Sequence, residues 1–220
     1  MLTKIFVCLF LISIPTALCV EGLDFGVKEG AIAPEQMQCL KDAGKSYMIM
    51  QLWRSNGLLN PYYTVNYNTA KQYGFKVDAY AFICNAVNTP QQICDGVVQN
   101  LPADFSGRVY LDIEPWTTCW TGNQTERLQF AEEVATTCLQ HGLDMGVYTC
   151  HWAWTNVFGD GMLKSEVLNK LPLWYAHYDL KDVFDGDYAT QKVSGWETAI
   201  MKQYYPDFPI CGHIMDLNVY

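Results

Sequence analysis

Eight short apolar or alternating runs punctuate this chain, at 23–26, 47–53, 77–83, 108–113, 144–149, 172–176, 198–204 and 213–218. Runs of about four to eight such residues read as strands. Helical patterns lie between most of them. Pro34 opens one that stops near Gly44, a second covers 66–73 and ends at Gly74, and a third starts at Pro90. The clearest spans 124–141, where Leu128, Ala131, Val134, Ala135, Cys138 and Leu139 share one apolar face and Gly142 follows as a stop. Proline suits the first turn of a helix and glycine its end. Strand–helix alternation implies a parallel sheet with right-handed crossovers. The last two runs have no clear helix between them. The expected fold is therefore an irregular α/β barrel, TIM-barrel-like, whose closing strands are antiparallel or short.

The first residues stand apart from this pattern. Lys4 gives a positive start, Ile5 to Ile14 is an apolar run, and Ala17-Leu18-Cys19 is a small-residue cleavage site. Residues 1–19 read as a secretory signal peptide. The apolar run falls short of the roughly 20 residues that cross a bilayer as a helix. Residues 20–220 form one expected domain, with no linker or repeat to mark a second. The product is expected to be secreted or lumenal, in vesicles such as phagosomes or lysosomes, and monomeric.

The formal net charge is -9 and the sequence pI 4.8. An acidic surface argues against nucleic acid, whose binding rests on basic patches, and against docking on anionic membranes. Seven cysteines follow the leader: Cys39, Cys84, Cys94, Cys119, Cys138, Cys150 and Cys211. Export favours disulfides, and an odd count leaves at least one thiol unpaired. Cys84 and Cys94 flank a short polar segment and are the expected bridge; the sequence leaves the other pairings open. Asn123-Gln124-Thr125 is a glycosylation acceptor.

Four acids fall where strands should end: Asp24 in GLDFG, Asp112 and Glu114 in VYLDIEP, and Asp216 in MDLNVY. Side chains alternate along a strand, so Asp112 and Glu114 point the same way. Pro115 ends the strand behind them. Two carboxyl groups side by side cannot both ionise cheaply, so one is held protonated, as a general acid requires. Barrel active sites gather at the C-terminal ends of the strands, and an acid pair there suits glycosidic bond cleavage. Aromatic side chains crowd the same positions, and Trp116 and Trp152, beside loops, are the expected sugar platforms.

Other chemistries find little support. There is no G-x-S-x-G, no H-E-x-x-H, no C-x-x-C and no glycine-rich phosphate loop. The four histidines show no metal-ligand spacing, so neither a metal nor a cofactor is expected. A chitinase-like D-x-x-D-x-D-x-E would need acids at Gly107 and Tyr110. A secreted glycan-binding protein that has lost catalysis is the rival from another class.

The chain resembles the glycoside hydrolase family 25 (Chalaropsis-type) lysozymes, in particular their small secreted eukaryotic branch. The segments that carry the resemblance run in order over essentially the whole mature chain: GLDFG, Arg54 with Ser55-Asn56-Gly57, Asp78 to Phe82, LDIE, GVYTCHWAW, PLWYAHY, KQY and DLNVY. It implies a β-1,4-N-acetylmuramidase acting on bacterial peptidoglycan without a cofactor. Glu114 would be the general acid and then the base. Asp112 would assist the substrate's acetamido group, and Asp24 and Asp216 would position substrate and tune the pair. Arg54, Tyr80, Trp116, Tyr148, Trp152, Tyr178 and Gln203 would contact substrate. Many members place a histidine after the aromatic residue of the third strand; here Ala81 follows Tyr80, and that contact is not carried over. An acidic pH optimum is expected.

Overall fold

Each of the eight apolar runs is a strand in the structure, a computed structural model that describes residues 21–184, 188–193 and 195–220. The leader expected at 1–19 lies outside those residues. The strands are β1 (Glu21–Phe25), β2 (Tyr47–Trp53), β3 (Lys76–Phe82), β4 (Val109–Asp112), β5 (Met145–Thr149), β6 (Leu173–Ala176), β7 (Met201–Ile210) and β8 (His213–Val219). They close into one barrel in chain order. Strands β1 to β7 run parallel, while β8 is antiparallel to both β7 and β1. The irregularity read from the missing last helix is thus a reversed closing strand.

Helices α1 (Pro34–Asp42), α2 (Tyr63–Gln72), α3 (Pro90–Asn100) and α4 (Gln124–Gln140) match the four helical patterns. Two of them start where a side chain accepts from the first turn: Thr89 from the Gln92 N–H at 3.2 Å and Asn123 from the Glu126 N–H at 3.1 Å. Such caps satisfy N–H groups that no helical carbonyl reaches. A fifth helix, α5 (His151–Phe158), has no counterpart in the sequence pattern. It is short, has no charged face to set against an apolar one, and gains its stability by burying Trp154 against Phe158 and Trp196. Strand β7 also runs past Pro206 and Pro209, residues that signal a strand's end. Register shifts around Tyr205 and Phe208 absorb them, as bulges do.

Alternation along the strands divides the core in two. Leu23, Met48, Met50, Leu111, Val147 and Leu173 face outward and pack against helix residues such as Met37, Val97 and Val134. Tyr47, Ile49, Tyr110, Tyr148, Trp174 and Met201 fill the barrel. Above that plug the inward positions turn polar, and there the cleft opens.

Three disulfides tie the shell together: Cys39–Cys211, Cys84–Cys119 and Cys94–Cys138. The expected Cys84–Cys94 bridge is therefore wrong. Cys84 stays at the top of the barrel, where the loop after β4 brings Cys119 to it. Helix α3 carries Cys94 down the outside of the barrel, where α4 offers Cys138. Among the described residues Cys150 is the unpaired thiol that the odd count required.

Candidate active site

The cleft follows from strand register. On β1, Gly22 and Asp24 face inward; on β8, Asp216 and Asn218 do so, because Asp24 lies opposite Asp216 and Gly22 opposite Asn218. Directly opposed residues of an antiparallel pair stand about 5 Å apart at Cβ, so these two carboxyl groups meet. On the far side, Asp112 is the last residue of β4, and Glu114 lies just beyond it. Three bonds hold the chain in line past the strand's end. The Ile113 N–H donates to Tyr148 O at 3.0 Å, Thr149 Oγ1 donates to Ile113 O at 3.0 Å, and Trp120 Nε1 donates to Glu114 O at 2.7 Å. Asp112 and Glu114 accordingly share the cleft while Ile113 is buried in the outer core, as the alternation predicted.

All four acids line one cavity of about 450 Å³, together with Arg54, Tyr80, Phe82, Trp116, Tyr148 and Tyr178. Its floor is close-fitting. A Cβ on Gly26 would stand 3.1 Å from the Tyr80 hydroxyl and 3.3 Å from Gln51 Oε1. Ala81 is buried in the outer core, between Tyr80 and Phe82 that line the cleft, so its small side chain takes nothing from the cavity.

Two amides clamp the acids from the closing strands. Gln203 Nε2 donates to Asp24 Oδ2 at 2.8 Å and to Asp216 Oδ2 at 3.1 Å. Its Oε1 accepts from the hydroxyls of Tyr178, at 2.8 Å, and Tyr148. Asn218 Nδ2 donates to Asp24 Oδ2 at 2.7 Å, and its Oδ1 accepts from Trp174 Nε1 at 2.8 Å. An indole N–H can only donate, so it fixes the Asn218 amide with nitrogen toward Asp24. The sequence reading made Gln203 a substrate contact. In the fold it is only 2% exposed, and both N–H donors and both lone pairs of its amide are occupied. It both lines the cleft and holds the acids, and a hydrogen bond from it to substrate would have to replace one of those four.

Burial dominates the electrostatics. It raises Asp24 and Asp112 well above the usual carboxyl range, with repulsion from Asp216 adding to Asp24 and from Glu114 to Asp112. Asn218 and Gln203 pull Asp24 back in part. Burial likewise raises Glu114; a hydrogen bond from Tyr148 lowers it and Asp216 raises it again. Asp216 is pushed up to about 6, by burial above all, against the Asp207 N–H that donates to it at 2.7 Å. Such a cluster cannot hold four negative charges near neutrality and shares protons among its members. One oxygen stands out: buried Asp112 Oδ1 has no hydrogen-bond partner among the described residues.

Two sequence candidates lie elsewhere. Trp152 is 65% exposed on the first turn of α5 and is not part of the cavity lining; the helix carries it away from the strand end that pointed to the cleft. Asn123 is the exposed cap of α4. Conversely, Asn218 and Gln51 escaped the sequence reading, although the period of two that paired Asp112 with Glu114 also pairs Asp216 with Asn218 and Ile49 with Gln51. Glu29 escaped for a different reason. It reaches the cleft through a short helical turn, where it accepts from the Gly26 N–H at 3.0 Å. No cluster of ligands able to hold a metal ion occurs among the described residues.

Known proteins resemble this chain along most of its length. A family model described as lysozyme-like protein 1 matches residues 22–204. The chain is 32% identical over 205 residues to "Probable GH family 25 lysozyme 2" of Dictyostelium discoideum, covering 91% of each. It is also 32% identical over 177 residues to "Probable GH family 25 lysozyme 3" of the same organism, covering 79% of this chain but 35% of that protein. The chain thus spans about a third of that relative's length. Its fold is shared with a family GH25 lysozyme from Aspergillus fumigatus, at a TM-score of 0.73 and 15% identity over 92% of this chain and 93% of the other. It is shared too with a muramidase from Acremonium alcalophilum, at a TM-score of 0.70 and 20% identity over 90% and 92%. At such identities the likeness to both is one of fold.

Proposed function

This chain belongs to the glycoside hydrolase family 25 lysozymes, and from that premise we propose that it is a β-1,4-N-acetylmuramidase, cleaving the bond from N-acetylmuramic acid to N-acetylglucosamine in bacterial peptidoglycan. The observation that carries the reading is the Asp112–Glu114 pair, with Asp112 Oδ1 buried, unpartnered and at the cleft. That oxygen is an acceptor waiting for an N–H, and the acetamido group of the cleaved sugar supplies one.

Glu114 donates its proton to the glycosidic oxygen as the C1–O bond breaks. The acetamido carbonyl oxygen bonds to C1 from the other side, and Asp112 holds the acetamido N–H and the positive charge that develops. Glu114, now a carboxylate, takes a proton from water while that water attacks C1 and the acetamido group is released. Tyr148 assists the exchange. Its one hydroxyl proton goes to Gln203 while Glu114 is protonated and turns to Glu114 when that group is ionised. Tyr178 meanwhile keeps Gln203 in place. Substrates lacking the N-acetyl group on the cleaved sugar should turn over very poorly, and normal rates on them would remove the acetamido step.

The protein acts outside the cytosol as a monomer, in bacterial cell-wall digestion or defence. Three disulfides support export. The raised pKa of Glu114 supports an acidic optimum, since a general acid must remain protonated at the working pH. The deciding experiment is digestion of purified peptidoglycan by the protein and by Glu114→Gln, with mass spectrometry of the fragments. Reducing-end N-acetylmuramic acid, absent with the variant, is the expected result. No cleavage by folded wild-type protein would leave a binding role.

A further inference from the structure

Arg54 follows the last residue of β2 and lines the cleft. Its backbone is held firmly. The Arg54 N–H donates to Leu58 O at 2.9 Å, and its carbonyl accepts from the Gly57 N–H at 3.0 Å. The Ser55 carbonyl lies 3.8 Å from Cys119 Sγ, which bridges to Cys84. Gly57 has φ +76° and sits so close to Asn88 that an added Cβ would stand 2.3 Å from its side-chain oxygen. Three loops therefore pack into one braced wall.

Among the described residues the guanidinium on that wall is unengaged. Arg54 as a residue is half-buried, yet among the described residues its side chain has neither a hydrogen-bond acceptor nor an ion-pair partner. By contrast, Lys45, Arg108 and Lys202 each pair with a carboxylate. Nor is Arg54 spent on the catalytic acids, since Asp112 and Glu114 are set by burial, by other acids and by Tyr148. A planar fork of donors, removed in part from water and left unpaired on a fixed backbone, is arranged for a carboxylate. An acidic cleft has particular need of free cations if its ligand is itself an anion; exposed Lys28 also lines it, but Arg54 is the one with a planar fork of donors, half-buried on the braced wall.

We propose that Arg54 binds a carboxylate on the branch of the muramoyl sugar, either the lactyl carboxylate or one on the peptide attached to it, and so makes the cleft prefer charged glycan to neutral glycan. This rests on the muramidase reading. The source of the carboxylate and the fate of that reading separate in one set of measurements. The ligands are soluble glycan oligosaccharides: stem-free with a free lactyl carboxylate, the same with that group converted to its methyl amide, and stem-bearing. Their binding to wild type, Arg54→Gln and Arg54→Lys is measured by calorimetry at low salt, with cleavage followed in parallel.

Wild type should bind a carboxylate-bearing ligand about tenfold or more tightly than the methyl amide. The ratio should fall to about one in Arg54→Gln, recover in part in Arg54→Lys, and shrink as salt is added. Preference for the free lactyl acid assigns the anion to that group, and preference for the stem-bearing ligand alone assigns it to the peptide. The same ratio in wild type and Arg54→Gln, or no binding of any of the glycans, overturns the proposal. An Arg54-dependent preference without cleavage sustains it while the hydrolase reading fails; cleavage without a charge preference does the reverse.

Discussion

Strands β1 to β5 each lead to an α-helix, whereas the described chain after β6 holds one short helical turn and the hairpin of β7 with the closing strand β8. Both parts deliver functional groups to one cleft. The regular part does so through strand ends: Asp24, Asp112 and Glu114 stand where parallel strands finish. The closing part does so from within strands that extend beyond the cleft, because β8 enters at the rim and runs down. Its groups, Gln203, Asp216 and Asn218, are held by side-chain hydrogen bonds and by the distant Cys39–Cys211 staple rather than by a helix behind each strand. The difference suggests a division of labour. On the proposed mechanism, the regular part carries the reacting pair and the closing part sets its geometry and charge.

The largest expected effect tests that division. Glu114→Gln should lower kcat by about 10³-fold, whereas Asp216→Asn should cost less than about 10²-fold with the same peptidoglycan assay. Equal losses would erase the distinction between reacting and tuning acids. Cys39→Ser with Cys211→Ser frees the hairpin tip from α1. The bridge closes a separation of 172 residues, so stability should fall by about 4–5 kcal/mol in a denaturant titration. A much smaller loss would show that the closing part holds itself.

Gln203→Leu removes two donors from buried acids and the acceptor shared by two tyrosine hydroxyls. It should cost about 2–3 kcal/mol of stability and narrow the pH profile, because Asp24 would rise further once a donor to its carboxylate is lost. An unchanged profile would reduce Gln203 to packing. The smallest effect concerns Asp216. Repulsion from it raises Glu114, so Asp216→Asn should let Glu114 fall and move the alkaline limb of activity to lower pH, by up to about one unit. The same residue links stability to pH. Its folded pKa of about 6 exceeds the ordinary aspartate value of 3.8. The stability it contributes is therefore fully present below about 3.8 and is lost as pH rises through about 6. Calorimetry should give a higher melting temperature at pH 4 than at pH 7 for wild type, and a flatter dependence for Asp216→Asn.

Eight strands, four of the helices and the facing of Asp112 with Glu114 were legible in the residues alone. Each depends on local rules: a period of two or 3.6, proline at a helix start, glycine after its end. The four acids could be grouped because barrel closure makes first and last strands neighbours. What local rules could not supply was how surfaces distant in sequence meet. The direction of β8 set Asp216 opposite Asp24. The descent of α3 turned Cys94 toward Cys138 and left Cys84 to Cys119. Four partners converging on one amide made Gln203 a clamp, α5 drew Trp152 out to solvent, and the bracing of three loops left Arg54 in the cleft without a partner among the described residues. These outcomes rest on long-range packing and hydrogen-bond satisfaction, which exist only once the chain has closed.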